Sequence, residues 1–170
     1  VLRTLVANRF ANCFNYPMRQ SLLKDTIPYR EDRDNPKGVM DYLKEEWLGH
    51  GGGHVSEALS SVIVGRVWEI YANAFEHGKT PTGVFSCGQH FARYGYIKLA
   101  VLDFGVGIPT HVRNFLKLQT MTAADTLRWA FQPGNTTDAK GIGRGLGLDI
   151  VKEFIRANDG QLEIYSHEGY

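Results

Sequence analysis

From Ser56 to His77 apolar side chains recur every three or four positions, at Leu59, Ile63, Val67, Ile70 and Ala74. That period predicts one buried face on a long helix, stopped by Gly78. Upstream, Leu2, Leu5, Val6, Phe10 and Phe14 stand at near-helical spacing before Pro17, so residues 1–27 read as one or two short helices. Residues 28–39 are polar and proline-bounded, which predicts a loop. Met40 to Leu48 reads as helix, and His50-Gly-Gly-Gly-His54 as a flexible break. Downstream, Gly83–Phe91 and Tyr96–Phe104 read as strands of a hairpin turning at Ala92–Gly95. The second of these is nearly continuous in apolar residues, which predicts a central position in its sheet. His111 to Leu118, Thr122 to Phe131 and Leu146 to Asn158 read as helices, Gln132 to Gly143 as a polar loop, and Gln161 to Ser166 as a last strand.

Composition narrows the class. The chain has 170 residues, 43% of them hydrophobic, enough to bury a core and to exclude disorder. Nineteen Lys and Arg against 18 Asp and Glu leave +1, which argues against wrapping a nucleic acid duplex but leaves a local cationic pocket open. No nucleic acid partner is indicated. No run approaches the ~18 apolar residues of a membrane span, and no secretory signal stands at the start. Two cysteines, Cys13 and Cys87, make no disulfide framework and fit a reducing compartment. A cytoplasmic location is therefore expected, or the cytoplasmic portion of a larger protein. Because the chain opens at Val1, it is expected to be a fragment. The one excess is glycine, 19 of 170 residues.

Three clusters carry candidate chemistry. Glu69 and Asn73 stand four apart and share a helix face, in a polar stripe with Arg66, Glu76 and His77. Such a stripe can be a solvated face, but Asn73 lies among apolar neighbours, where an amide needs a partner; Mg²⁺, an oxygen-seeking ion, would suit it. Asp103-Phe-Gly-Val-Gly-Ile-Pro109 follows a strand directly. Either it is a strand-terminating turn, or it places a carboxylate where backbone approaches a ligand, able to accept a hydrogen bond from an amine such as that of adenine. Gly141-Ile-Gly-Arg-Gly-Leu-Gly-Leu148 opens a helix, so its amides either form a hinge or favour phosphate, with Lys140 and Arg144 adding charge. A dinucleotide fingerprint fails because Leu146 and Leu148 occupy the third-glycine positions, and Asp103-Phe-Gly105 lacks the other protein-kinase motifs. His50/His54 and Cys87/His90 are pairs without two further metal ligands.

In this order and on these elements, the clusters resemble the GHKL superfamily, the ATP-binding domains of gyrase, the heat-shock chaperone, histidine kinases and mismatch-repair ATPases. Glu69-Ile-Tyr-Ala-Asn73-Ala is similar to its N box, Asp103-Phe-Gly-Val-Gly107 to its G1 box, and Gly143-Arg-Gly-Leu-Gly-Leu148 to its G2 box. Phe131-Gln-Pro-Gly-Asn-Thr-Thr137 resembles the approach to the ATP lid of histidine kinases. The resemblance covers about residues 56–166. It implies an α+β two-layer sandwich, helices on one face of a mixed, mainly antiparallel sheet (the Bergerat-type ATP-binding fold). The implied organisation is an amino-terminal helical extension and linker over 1–55 and an ATP-binding domain over 56–170, with a later strand bearing a Thr or Ser phosphate contact beyond Tyr170.

The resemblance further implies ATP and Mg²⁺ as cofactors. Asn73 would hold the metal, Asp103 the adenine amine, and Gly105 and Gly107 would admit the base. Lys140, Gly143, Arg144, Gly145, Leu146 and Gly147 would surround the phosphates. Glu69 stands where gyrase-like ATPases and anti-sigma-factor serine kinases carry a general base, whereas histidine kinases usually have Asn. No phosphoacceptor-histidine helix is visible. The implied function is Mg-dependent ATP binding coupled to phosphoryl transfer to a protein or to hydrolysis, with a protein substrate, a partner domain or a homodimer as partner. The alternatives are an ATP-gated dimerisation switch with slow turnover and a non-catalytic adaptor.

Overall fold

The computed structural model describes residues 2–14, 25–33, 35–49, 55–78, 80, 82–137, 147–167 and 169. Helices and a three-stranded sheet make up these residues, consistent with the α+β sandwich expected. Two compact units divide the chain: Val1–Gly65 with Thr82–Asp103, and Arg66–Pro81 with Phe104–Tyr170.

The first unit holds α1 (Leu2–Ala7), a 3₁₀ turn at Phe10–Phe14, β1 (Thr26–Asp32), α2 (Pro36–Asp41) running into a wider turn over Tyr42–Leu48, the start of α3 (Glu57–Gly78), β2 (Val84–Phe91) and β3 (Tyr96–Asp103). The sheet order is β1-β2-β3 and both pairings are antiparallel, so the described sheet is antiparallel rather than mixed. The hairpin forms as read, with Gly95 at φ 70° closing its turn. Its second strand, however, is an edge among the described residues, and β2 takes the centre. Residues alternate between exposed and half-buried along β3, as a strand covered on one face only requires.

Residues 28–39 are not a loop. Thr26–Asp32 forms a strand and Pro36–Asp41 a helix, so the amino-terminal segment expected to be helical also contributes to the sheet. Pro28 is tolerated because β1 lies at an edge and its pairing shifts between Ile27 and Arg30. The charges that made this stretch look solvated neutralise one another: the Arg30 guanidinium forms a two-pronged pair with buried Asp32. Arg30 also donates to the Gly38 carbonyl at 2.7 Å and lies over the Tyr42 ring. Tyr42 donates to the Pro28 carbonyl at 2.9 Å, and Ile27, Val39, Leu43 and Val84 are buried in this unit. Asn35 caps α2 by accepting from the Gly38 amide, with Pro36 at the first helical position.

The second unit holds the rest of α3, α4 (Gly107–Leu116), α5 (Ala123–Ala130) and α6 (Gly147–Ala157). Thr122 caps α5, accepting from the Asp125 amide while donating to the Asp125 carboxylate at 2.7 Å. That bond, with Arg128, holds the Asp125 carboxyl below its usual range. Helices α4 and α5 meet through Phe115 and Trp129, and Arg113 ties them by donating to the Met121 carbonyl at 2.7 Å. The strand expected over Gln161–Ser166 does not form among the described residues; only an isolated bridge joins Ser166 to Gly169. No helix of the described residues is long and apolar enough to cross a membrane.

The long helix begins and ends within one residue of its predicted limits, but its buried face is turned. Ser60, Val64, Val67, Tyr71 and Ala74 are buried, whereas Leu59 is 51% exposed. Tyr71, wholly buried, anchors that face and stacks with Trp68.

Candidate functional site

The polar stripe on α3 has Glu69 and Asn73 one turn apart, both half-buried. Asn73 Nδ2 donates to the Glu69 backbone carbonyl at 2.6 Å. The amide that needed a partner thus finds one in its own helix, a back-bond that side-chain amides and hydroxyls make readily. The bond also fixes which end of the amide is which, because an oxygen turned toward that carbonyl would repel it. Asn73 Oδ1 therefore faces away from the helix backbone, and among the described residues it accepts no hydrogen bond. An amide oxygen is a suitable hard ligand for Mg²⁺. No three His, Cys, Asp or Glu side chains gather as a metal cluster among the described residues. A cation at Asn73 would need its remaining oxygens from elsewhere, as a nucleotide's phosphates supply them.

Asp103 is the last residue of β3, opposite Val84 in the ladder and half-buried. The strand's pairing to β2 fixes where its backbone ends.

The glycines that follow in the second unit are each required by a close approach. A side chain at Gly105 would put its Cβ 2.1 Å from the Gly78 carbonyl oxygen and 2.4 Å from the Gly78 Cα, both backbone atoms. The Val106 amide donates to that same carbonyl at 3.0 Å. The loop is thereby docked on the last residue of α3. Gly107 sits at φ 74°, a conformation costly for any residue with a Cβ. Space there is occupied by the His167 ring and the Ser166 hydroxyl, each within 3 Å of an added Cβ.

Ser166 and His167 are the contributors the sequence did not reveal. Ser166 Oγ accepts from the Ile108 amide at 3.2 Å, satisfying one of the unpaired donors in the first turn of α4. His167 Nε2 lies 2.9 Å from the Val106 carbonyl and 3.3 Å from Thr110 Oγ1. They stand nearly 60 residues away in sequence, and no local spacing pairs them with the loop.

Of the glycine-rich motif expected to surround phosphates, Lys140, Gly143, Arg144, Gly145 and Leu146 lie outside the described residues. Gly147 is the first residue of α6, so a helix does open where the motif ends. Asp149 in its first turn is buried and accepts from the Ile150 amide at 2.9 Å, a carboxylate at the end of the helix that favours negative charge. Within Phe131–Thr137, Asn135 donates to the Trp129 carbonyl at 2.9 Å and fastens this segment to the end of α5.

No solved structure matches the chain. A family model described as histidine kinase-, DNA gyrase B-, and HSP90-like ATPase matches residues 63–170.

Proposed function

The chain belongs to that family of ATPases and carries its ATP-binding domain, and from this premise we propose that it binds ATP with Mg²⁺ and passes the γ-phosphoryl group to a protein or to water. The observation that carries the proposal is the locked Asn73 amide, whose donor end is tied to Glu69 and whose acceptor end remains for a cation. Asp103 would accept a hydrogen bond from the adenine amine, an assignment supported by its position at the end of β3. The metal, when bound, would offset the charge on the phosphate oxygens. Amides at the start of α6, with Lys140, Gly143, Arg144, Gly145, Leu146 and Gly147, would cradle the phosphates. Glu69 would orient or deprotonate the attacking hydroxyl or water, as its place one turn before Asn73 suggests.

The proposal is tested by melting the protein with millimolar ATP, in Mg²⁺ and in a chelator. A rise in melting temperature with Mg-ATP, lowered by chelation and lost in Asn73→Ala, is expected. An unchanged melting temperature in Mg-ATP would refute nucleotide binding by this chain. Labelled γ-phosphate appearing on protein identifies transfer, and label released to solution identifies hydrolysis. Neither would leave the dimerisation switch or the adaptor.

A further inference from the structure

The two cysteines belong to the same compact unit, and neither has a place in the nucleotide proposal, on which nothing here depends. Cys13 is exposed and Cys87 half-buried. In a 3₁₀ turn residues three apart eclipse one another, so Cys13 shares a face with Phe10. That face is turned to the sheet: the Phe10 ring meets the Tyr29 ring edge-on, centroids 5.0 Å apart. Tyr29 in turn stacks on Phe85, and Cys87 is two residues farther along β2, on the same side of the strand as Phe85. The preceding turn brackets Cys87 from the other direction. The Tyr29 amide donates to the Asn8 carbonyl, and the Asn8 side chain lies against the Cys87 thiol, partly opposing the upward push of burial on it. Desolvation and the hydrogen bond that its hydroxyl donates to Glu31 raise the Tyr29 pKa, and Cys13 and Cys87 add smaller contributions in the same direction.

From this convergence on Tyr29 we propose that Cys13 and Cys87 are an oxidative modification site, closing to a disulfide that staples the amino-terminal turn to β2 when a small-molecule disulfide oxidant is present. The Cys13 thiolate attacks one sulfur of an oxidised glutathione molecule; the oxidant's S–S bond breaks and one glutathione thiolate leaves. The Cys87 thiolate then attacks the Cys13 sulfur, expelling the second glutathione thiolate. The two cysteines lose two electrons and two protons; the oxidant gains both and ends as two thiols. Exposure makes Cys13 the entry point. Burial, which raises the Cys87 thiol, makes closure the slower step, so a Cys13–glutathione adduct accumulates first near neutral pH and closes faster as pH rises.

The experiment treats the reduced chain with oxidised glutathione in non-denaturing buffer, blocks free thiols, and digests with trypsin without reductant. The expected product joins the peptide Phe10–Arg19 to the peptide Thr80–Arg93, forms more slowly in urea, and vanishes on reduction. The oxidised chain should melt on the order of 10 °C higher than the reduced one, a gain absent from Cys13→Ser and from Cys87→Ser. Cys13→Ser replaces an exposed side chain and serves as the control should Cys87→Ser fail to fold. A stable Cys13–glutathione adduct with no joined peptides at alkaline pH would overturn the proposal. So would joined peptides that form faster in urea, or disulfides found only between two chains.

Discussion

Replacing Gly105 by alanine separates two reasons for a glycine in the loop after β3: access for a ligand, and packing against the end of α3. The added Cβ would sit 2.1 Å from the Gly78 oxygen and 2.5 Å from its carbonyl carbon. Relief requires the backbone of one partner to retreat by roughly 1 Å, since neither atom is the end of a flexible side chain. Overpacking of this kind costs about 1–3 kcal/mol, and losing the Val106 to Gly78 hydrogen bond adds about 1 kcal/mol. A loss near 3 kcal/mol should lower the melting temperature by roughly 10 °C in a chain of this length. Two other glycines calibrate the measurement. Gly65 lies in the helix with nothing within 4 Å of an added Cβ, so Gly65→Ala should stabilise by about 0.5–1 kcal/mol. Gly95 has equal space but φ 70°, so Gly95→Ala should cost about 1 kcal/mol from conformation alone. Urea and thermal unfolding of the three variants should rank them Gly65→Ala, Gly95→Ala, Gly105→Ala in falling stability. If Gly105→Ala unfolds with the wild-type midpoint while ATP binding is lost, the packing account is refuted and ligand access is the reason for the glycine.

Asp103→Ala should cost about 1–3 kcal/mol of ATP affinity and erase preference over GTP; a wild type that binds both equally by calorimetry removes the adenine assignment. Glu69→Gln should leave Mg-ATP binding intact while slowing γ-phosphate turnover at least tenfold, and unchanged turnover rules out the base. Arg30→Met should destabilise the fold by about 3–5 kcal/mol, because Asp32, only 2% exposed, loses its counter-charge; in urea titrations Arg30→Met/Asp32→Leu should recover much of that loss. Stability should fall as pH rises above about 9, because the unfolded chain releases the Cys87 and Tyr29 protons before the folded one does. The contributions are complete below the unfolded values and disappear through the raised folded ones. Cys87→Ala and Tyr29→Phe should each flatten the alkaline slope, and a profile unchanged in both would contradict the burial of these groups.

Where local chemistry decides structure, the sequence was readable. The ends of α3 and the β2–β3 hairpin follow from apolar period, a helix-stopping glycine and a glycine-containing turn. The buried face of α3 did not follow, because counting aliphatic residues favours Leu59 and Ile70, while Tyr71 claims the interior by size and brings Ser60 with it. β1 was hidden for a different reason. Pro28 and four charged or polar neighbours read as solvated, whereas pairing with β2 and the Arg30–Asp32 contact, two residues apart on one strand, accommodate that sequence in a strand. The opposite error arises at Gln161–Ser166, whose alternation suits a strand that has no sheet partner among the described residues. At the candidate site, residue types and spacing singled out Asn73, Asp103 and the glycines one motif at a time. They could not reveal that Asn73 is oriented by its own helix, or that Ser166 and His167 lie over the first turn of α4.

The docking of Gly105 and Val106 on Gly78 gives the loop a reference frame borrowed from a helix rather than from the strand that precedes it in the chain. Asn73 stands five residues before that anchor on the same rigid rod. The angular phase between the amide and the loop is then a property of helix geometry, about 100° for every residue. A residue inserted between Asn73 and Gly78 would dephase the two by that angle even with every side chain retained. A residue inserted at the hairpin tip, far along the chain from the anchor, would leave their phase untouched.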